Sequence, residues 1–362
     1  MIKKIVCVIN GVGSSGGAER VMVTLCNEFV KKGIKVTLIV QEKETPSYFL
    51  EKDVEVLDTT VYKRIPGFLR LCIRQSRLRK HIRSCRPDVV ISFMTKMNIL
   101  TLIASLGLHI PIIVSERIDP HVNNIFPINL IRKIVYPFSS GYVFQTESAK
   151  TFFSNRIQAK SMIIPNPLSE GLPIKVNYLP THEIVAVGRL EYQKNYSLLI
   201  YAFYDFIKIY NEFVLKIYGT GSKKQEIQQM INKMGMEKKI FLMGSVPNVA
   251  EEIYSADMFV MTSDYEGMPN SLAEALAVGL PCISTDCIGG GARFLIENDI
   301  NGILVPTRNI KLLVAAMNKI ENNHDYAKRI GNEAIKIRKK LNSEKIAQQW
   351  LNYCDQIGKE YC

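Results

Sequence analysis

Ser263-Asp264-Tyr265-Glu266-Gly267-Met268-Pro269-Asn270-Ser271-Leu272-Ala273-Glu274-Ala275-Leu276-Ala277 follows a short apolar run, 258–261, and leads into a helical pattern. Pro269 cannot continue a strand ladder, and Asn270 or Ser271 is a good helix N-cap, so the stretch reads as strand, turn, helix. Backbone N–H groups at such a turn point past the C-terminal end of the strand, where they form a ready anion site. Glu266 precedes the helix, and Glu274 stands inside its first turns. The two carboxylates can therefore accept from hydroxyls on two parts of one extended ligand. Glu274 has a second reading, because Ser271-x-x-Glu274 also fits a capping box.

Outward from this stretch the pattern repeats. Strand-like runs at 183–187, 214–218, 240–242, 281–284 and 303–305 share the second half of the chain with 258–261. In the first half, runs at 3–10, 35–40, 89–92, 112–115 and 142–144 alternate with helical stretches near 18–32, 67–83, 98–106 and 147–154. Such alternation predicts α/β architecture, with parallel sheets covered by helices on both faces. Two series in succession predict two doubly wound domains, 1–176 and 177–345, with 346–362 as a final helix packing back on the first. A chain of 362 residues suits two domains. Pro165, Pro167, Pro173 and Pro180 mark the break, with 177–181 as the candidate linker.

Other strand ends carry chemistry of their own. Val187-Gly188-Arg189-Leu190-Glu191-Tyr192-Gln193-Lys194-Asn195 leaves a strand and opens a helix, bringing a guanidinium suited to bidentate anion binding and a compact ammonium. Taken alone the pair could equally be surface charges. Tyr218-Gly219-Thr220-Gly221 ends the next strand in a glycine turn suited to close backbone approach. Gly11-Val12-Gly13-Ser14-Ser15-Gly16 follows the first strand and fits G-x-G-x-x-G, with Glu42 near the end of the next strand. That combination matches a dinucleotide-binding fingerprint. A tight turn needed only for packing fits it as well.

Together these segments resemble the retaining glycosyltransferases of family 4, which have the GT-B fold of two Rossmann-like domains facing each other across a cleft. The likeness runs through Gly16-Gly17-Ala18-Glu19-Arg20, Gly188-Arg189 with Lys194, Gly219-x-Gly221, the E-x7-E element Glu266/Glu274, and Asn301-Gly302-Ile303-Leu304-Val305. The resemblance implies that Arg189 and Lys194 hold the diphosphate of a nucleotide-sugar donor and oppose the charge on the departing nucleotide. It implies that Glu266 contacts the donor sugar and Glu274 the ribose. The backbone of Gly267, Met268, Pro269, Asn270 and Ser271 would bind sugar hydroxyls and phosphate, and Gly16 and Gly17 would donate N–H groups toward the donor phosphate. The family needs no metal and no cofactor, so Asp264 and Asp286 are expected to be structural.

On the acceptor side the match is looser. Val114-Ser115-Glu116-Arg117-Ile118-Asp119-Pro120-His121 ends a strand, and some family members place an important histidine nearby. Here Glu116 and Arg117 stand at the strand end and His121 further on. Ser92-Phe93-Met94, with Lys96 and Asn98, is expected to line the cleft. Ile164-Pro165-Asn166-Pro167 resembles the end of the family's acceptor domain and also fits a simple hinge turn. These segments look most like bacterial transferases that extend undecaprenyl-diphosphate-linked saccharides, many with UDP-activated N-acetylhexosamine or galactose.

Charge is uneven: the chain carries +12, and residues 1–172 hold 24 Lys+Arg against 13 Asp+Glu. The segment 63–86 has nine basic residues and no acid. Phe68, Leu71, Leu78 and Ile82 recur there at helical spacing, which predicts a basic amphipathic helix. It is either a solvated face or a contact for anionic lipid; without a recognition motif, nucleic acid is not an expected partner. Eight cysteines without C-x-x-C spacing suggest reduced thiols rather than a disulfide or zinc framework. The start lacks a signal-peptide pattern, and Ile99 to Val114 contains His109 and Pro111 and reads as a buried helix and strand. A cytoplasmic protein attached peripherally to the inner face of the cell membrane is expected. The competing activities are a UDP-sugar epimerase or hydrolase of the same fold, and a non-catalytic nucleotide-sugar or membrane binder.

Overall fold

The computed structural model describes residues 2–13, 16–61, 64–121, 126–176 and 179–361. Ser14 and Ser15 of the glycine loop, Lys63 of the basic segment, Asn177 and Tyr178 of the candidate linker, and Cys362 lie outside the described residues. The chain divides into two compact units, Met1–Pro167 with Leu341–Cys362, and Leu168–Lys340.

Along the first unit run β1 (Lys4–Ile9), α1 (Gly17–Lys31), β2 (Lys35–Val40), β3 (Glu55–Asp58), α2 (Gly67–Cys85), β4 (Val89–Phe93), α3 (Thr95–Ser105), β5 (Ile112–Ser115), α4 (Ile128–Val135), β6 (Gly141–Phe144), α5 (Glu147–Thr151), α6 (Asn155–Ala159) and β7 (Ser161–Ile163). The strands form one parallel sheet in the order β3-β2-β1-β4-β5-β6-β7. Strand side chains alternate between faces, and β1 shows what that does here. Ile5, Cys7 and Ile9 enter one core with Phe29 of α1, while Val6 and Val8 enter another with Leu78 and Ile82 of α2 and Leu102 of α3. Burial on both faces is why the strands read as continuous apolar runs.

The second unit contains β8 (Glu183–Val187), α7 (Tyr196–Phe206), β9 (Val214–Tyr218), α8 (Lys224–Lys233), β10 (Ile240–Gly244), α9 (Val249–Ile253), β11 (Met258–Met261), α10 (Asn270–Val278), β12 (Cys282–Thr285), α11 (Gly291–Leu295), β13 (Ile303–Val305), α12 (Ile310–Glu321), α13 (His324–Ala334) and α14 (Ile337–Lys340). Its parallel sheet has the order β10-β9-β8-β11-β12-β13. The last helix, α15 (Ser343–Tyr361), belongs to the first unit and sends Trp350, Cys354 and Ile357 into the core of β1 and α1.

The unit boundary differs from the sequence expectation. Residues 168–176, placed in the first domain by sequence, belong to the second unit, where Lys175 N donates to Val278 O at 2.8 Å and Arg338 donates to Leu172 O at 2.9 Å. Residues 341–345 likewise belong with the first unit.

Each sheet reverses direction once. The chain winds one way from β1 to β3 and the other way from β4, and it does the same from β8 and from β11. Ligands of open α/β sheets bind beyond the C-terminal strand ends at such switch points. In the second unit those ends are Gly188–Lys194 after β8 and Thr262–Glu266 after β11.

Candidate active site

The site of the second unit is built on two adjacent strand ends. β8 runs out at Val187 into Gly188 and Arg189, and a 3-10 turn, Tyr192–Lys194, leads to Asn195. Asn195 sits in the left-handed region (φ 46°, ψ 50°) and its side chain caps α7 by accepting from Leu198 N. Lys194 is thereby turned toward the end of β11. Its Nζ lies 2.6 Å from Glu266 Oε1, and both side chains are largely buried. Ser263 Oγ donates to the same oxygen at 2.9 Å.

A second set of bonds ties the turn together. Thr262 Oγ1 donates to the carbonyls of Lys194 and Asn195 at 3.0 and 3.1 Å, and Gln193 Nε2 donates to Tyr265 O at 2.8 Å. Asp264 accepts from Asn195 Nδ2 at 3.1 Å and from Arg308 at 3.0 Å, and Asp286 pairs with Arg293. Both aspartates are thus committed to holding loops. Thr262, Ser263, Gln193, Asn195 and Arg308 were not singled out from the sequence. The hydroxyl pair Thr262-Ser263 directly before Asp264 was the one signal available.

Glycines let the strand ends approach one another. Gly219 has φ 139°, and a Cβ there would stand 2.0 Å from Gly188 O; one on Gly221 would stand 2.3 Å from Leu190 O. One on Gly188 would press on Lys194 Cε at 2.8 Å. Gly188 O accepts from Tyr196 OH at 3.0 Å. Gly267 O is approached by Gly291, whose Cβ would come within 1.7 Å.

Arg189 is exposed, and its side chain forms no hydrogen bond or ion pair within the described residues. It leaves the same strand end as Lys194 without being used up by the fold.

At the start of α10 the structure corrects one sequence reading. The N-cap is Pro269, with φ −75° and ψ 106°, and no side chain caps the helix. Asn270 is already helical and Ser271 stands one residue further in, so Ser271-x-x-Glu274 forms no capping box. Glu274 is 4% exposed and accepts from Ser169 Oγ at 3.2 Å, and Met268 is buried as well. The helix N-terminus carries backbone donors that its own ladder does not use.

In the first unit, the loop after β1 is pinned by Glu44, which accepts from Gly13 N at 3.0 Å, and by Ser47 Oγ donating to Gly13 O at 2.6 Å. Gly16 is the N-cap of α1, and Gly17 is its first residue. Glu42, the acid of the dinucleotide fingerprint, pairs with Arg74 of α2 at 2.6 Å.

Ser92 and Asn98, expected to line a cleft, are fully buried. Ser92 Oγ is 3.2 Å from Thr101 Oγ1, and Asn98 Nδ2 donates to Ser115 O and Tyr136 OH. Glu116 is buried too, accepting from Thr95 Oγ1 at 2.7 Å and from Tyr136 OH, with Arg132 Nη1 at 3.7 Å. Burial pushes its carboxyl up from the ordinary range, against the pull of those hydrogen bonds and of Arg132. These side chains brace the strand ends from behind.

Arg117 is buried with its guanidinium 3.7 Å over the Phe93 ring and 5.6 Å from that of Trp350, donating to Asn166 Oδ1 at 2.8 Å. Burial pushes it down to about 9. His121 faces outward, with Nδ1 and its backbone N each 2.8 Å from Oδ1 of the fully buried Asp119. Among the described residues no group of three or more His, Cys, Asp or Glu side chains is arranged to hold a metal ion.

Known proteins share this architecture. The family model for "Glycosyltransferase Family 4" matches residues 15–170, and that for "Glycosyl transferases group 1" matches residues 174–337. A relative from Campylobacter jejuni, "GalNAc-alpha-(1->4)-GalNAc-alpha-(1->3)-diNAcBac-PP-undecaprenol alpha-1,4-N-acetyl-D-galactosaminyltransferase", is 26% identical over 349 residues, covering 95% of this chain and 96% of the relative. A second from the same organism, "N-acetylgalactosamine-N,N'-diacetylbacillosaminyl-diphospho-undecaprenol 4-alpha-N-acetylgalactosaminyltransferase", is 27% identical, covering 94% of this chain and 96% of its own. Among solved structures, HepE of Anabaena in complex with UDP and glucose superposes with a TM-score of 0.84 at 16% identity, covering 97% of this chain and 98% of HepE. With two matched models spanning nearly the whole chain and GT-B neighbours for its fold, this protein is a glycosyltransferase of family 4.

Proposed function

We propose that the enzyme moves a hexose or N-acetylhexosamine from a UDP-activated donor to a saccharide carried on a lipid diphosphate, with retention of anomeric configuration and without a metal ion, during assembly of a bacterial surface glycan. The observation that carries this is the buried Lys194–Glu266 pair at the switch point, with the unengaged Arg189 leaving the same strand end. The names of the two Campylobacter relatives support the lipid-linked acceptor, and the UDP in the HepE complex supports the donor.

Breaking the bond between sugar and nucleotide leaves a diphosphate with added negative charge, while the sugar becomes oxocarbenium-like. Arg189, Lys194 and the α10 N-terminus oppose the diphosphate charge as it develops, which lowers the barrier more than it tightens ground-state binding. Glu266 orients the donor sugar, and Lys194 holds that carboxylate in place. Glu274 accepts from the ribose. The acceptor hydroxyl attacks from the face the phosphate leaves. On the acceptor side, His121 and Arg117 are assigned to the acceptor, with Ser92, Asn98 and Glu116 supporting the strand ends that carry them. The basic segment 63–86 holds the enzyme at an anionic membrane surface on the cytoplasmic side.

The test is nucleotide release from a panel of UDP- and GDP-sugars, with EDTA present, with and without a lipid-diphosphate saccharide. Arg189→Ala should lower acceptor-dependent release by roughly a hundredfold or more at unchanged thermal stability, because the fold does not use that side chain. Release without acceptor would instead assign a hydrolase or epimerase, and tight donor binding without turnover would assign a binding protein.

A further inference from the structure

α4 and the 3-10 turn that continues it, Tyr136–Phe138, have two unlike faces. The inner face carries Arg132 and Tyr136, both buried. Arg132 Nη2 donates to Asn129 Oδ1 at 2.8 Å, its guanidinium lies 4.8 Å from the Phe152 ring, and Arg132 and Tyr136 both meet Glu116. The outer face is the reverse. Leu130 and Ile134 stand four residues apart in α4 and share one face, and Phe126 just before the helix and Phe138 in the 3-10 turn are exposed as well. Phe126 is 81% exposed and Ile134 61%, with Ile131 beside them, and Lys133 is the lone charge among the exposed residues of 126–138. A helix that sends its arginine inward and its large apolar side chains outward is inverted for a water-facing surface.

Neighbouring helices extend this character. α2 and α3 pack side by side, with Gln75 Nε2 donating to Leu100 O and Arg79 to Ala104 O, and Asn98 of α3 reaches Tyr136. In α2 only Leu78 and Ile82 of the expected stripe are buried, together with Cys85, while Phe68 and Leu71 are exposed among its basic residues. Among the described residues no helix is long and apolar enough to cross a membrane.

We propose that the outer face of residues 126–138 is an apolar plate that seats in the interfacial layer of an anionic bilayer, while the basic residues of 64–86 hold the headgroups. This rests on the membrane partner proposed above and names the element that enters the lipid. Charge complementarity selects lipid over a second copy of the chain, since an acid-free basic segment repels its own duplicate. Through Arg132 and Tyr136 the plate is bonded to Glu116 at the end of β5, so lipid contact and the acceptor-side strand end share one rigid support.

The test is flotation with vesicles of equal parts phosphatidylglycerol and phosphatidylethanolamine. Leu130→Ser/Ile134→Ser should lower partitioning by at least about tenfold, at low and high salt alike, and keep full turnover on a short-chain soluble acceptor. Arg64→Gln/Arg70→Gln should weaken only the salt-sensitive part. Trp350 is the single, buried tryptophan, so Ile134→Trp adds a reporter whose emission should shift to the blue on adding vesicles. If the α4 variant floats like wild type while the α2 variant does not, the membrane partner stands and the plate falls. Wild-type protein that never floats removes the membrane partner itself. A wild-type dimer in sedimentation, dissolved by the α4 variant, would overturn the proposal by giving the face to a second copy.

Discussion

At Gly219 the backbone lies in a region that side-chain-bearing residues rarely adopt, and the space for a Cβ is filled by Gly188 O. Neither obstacle can yield, because both are backbone. Gly219→Ala should therefore cost more than about 2 kcal/mol of stability, read as a lower midpoint in urea. Gly188 poses the opposite case. Its φ is ordinary, and the atom in the way is Cε of Lys194, the far part of a flexible side chain. Gly188→Ala should unfold near wild type and yet lose turnover, because the lysine that yields is the one that holds Glu266. Equal loss of stability in both variants would show that Lys194 cannot move aside and that the pair is structural first.

Among the elements, the segment 168–176 is the one whose assignment the sequence left to its prolines, and Lys175 explains where it belongs. Its Nζ donates to Ser255 O at 3.1 Å and to Ala256 O, and burial pushes its ammonium down to about 8 from 10.5, with Asp257 opposing the shift. The folded state thus disfavours the charged form, so the group adds stability as pH rises from the folded value toward the unfolded one and withdraws it as pH falls. Measured by urea denaturation, the stability difference should move in favour of wild type over Lys175→Met between about pH 7 and about pH 10. A difference that stays flat would mean the ammonium is solvated. The central strands were legible in advance because burial on both faces makes them unbroken apolar runs. β3 and β7 were not: Glu55–Asp58 and Ser161–Ile163 are short edge strands, with charge or partial exposure in place of that pattern. α4 escaped because its apolar side faces away from the core, contrary to the premise of periodicity. At the site, Arg189, Lys194, Glu266 and Glu274 could be named from strand-turn-helix context. Asn195 and Arg308 could not, since their partner Asp264 is 69 and 44 residues away and only the fold brings them to the same turn.

For the molecule as a whole, the charge follows the units. The first unit holds 26 Lys+Arg against 15 Asp+Glu, and the second 20 against 19, so nearly all of the +12 sits with the half proposed to receive the acceptor. A lipid-linked diphosphate is anionic at every stage of its approach, and a field of one sign raises its local concentration at a distance that salt can screen. The donor is anionic too, but it is to be met by Arg189, Lys194 and the α10 N-terminus at short range, where screening matters less. Raising NaCl from about 50 mM to about 500 mM should therefore lower kcat/KM for a soluble lipid-diphosphate acceptor by roughly tenfold, and lower it much less for an uncharged alkyl glycoside acceptor with the same terminal sugar. The donor KM should change little in both series. If both acceptors lose rate equally, salt acts on the donor site or on the fold, and the basic half has no part in drawing the acceptor in.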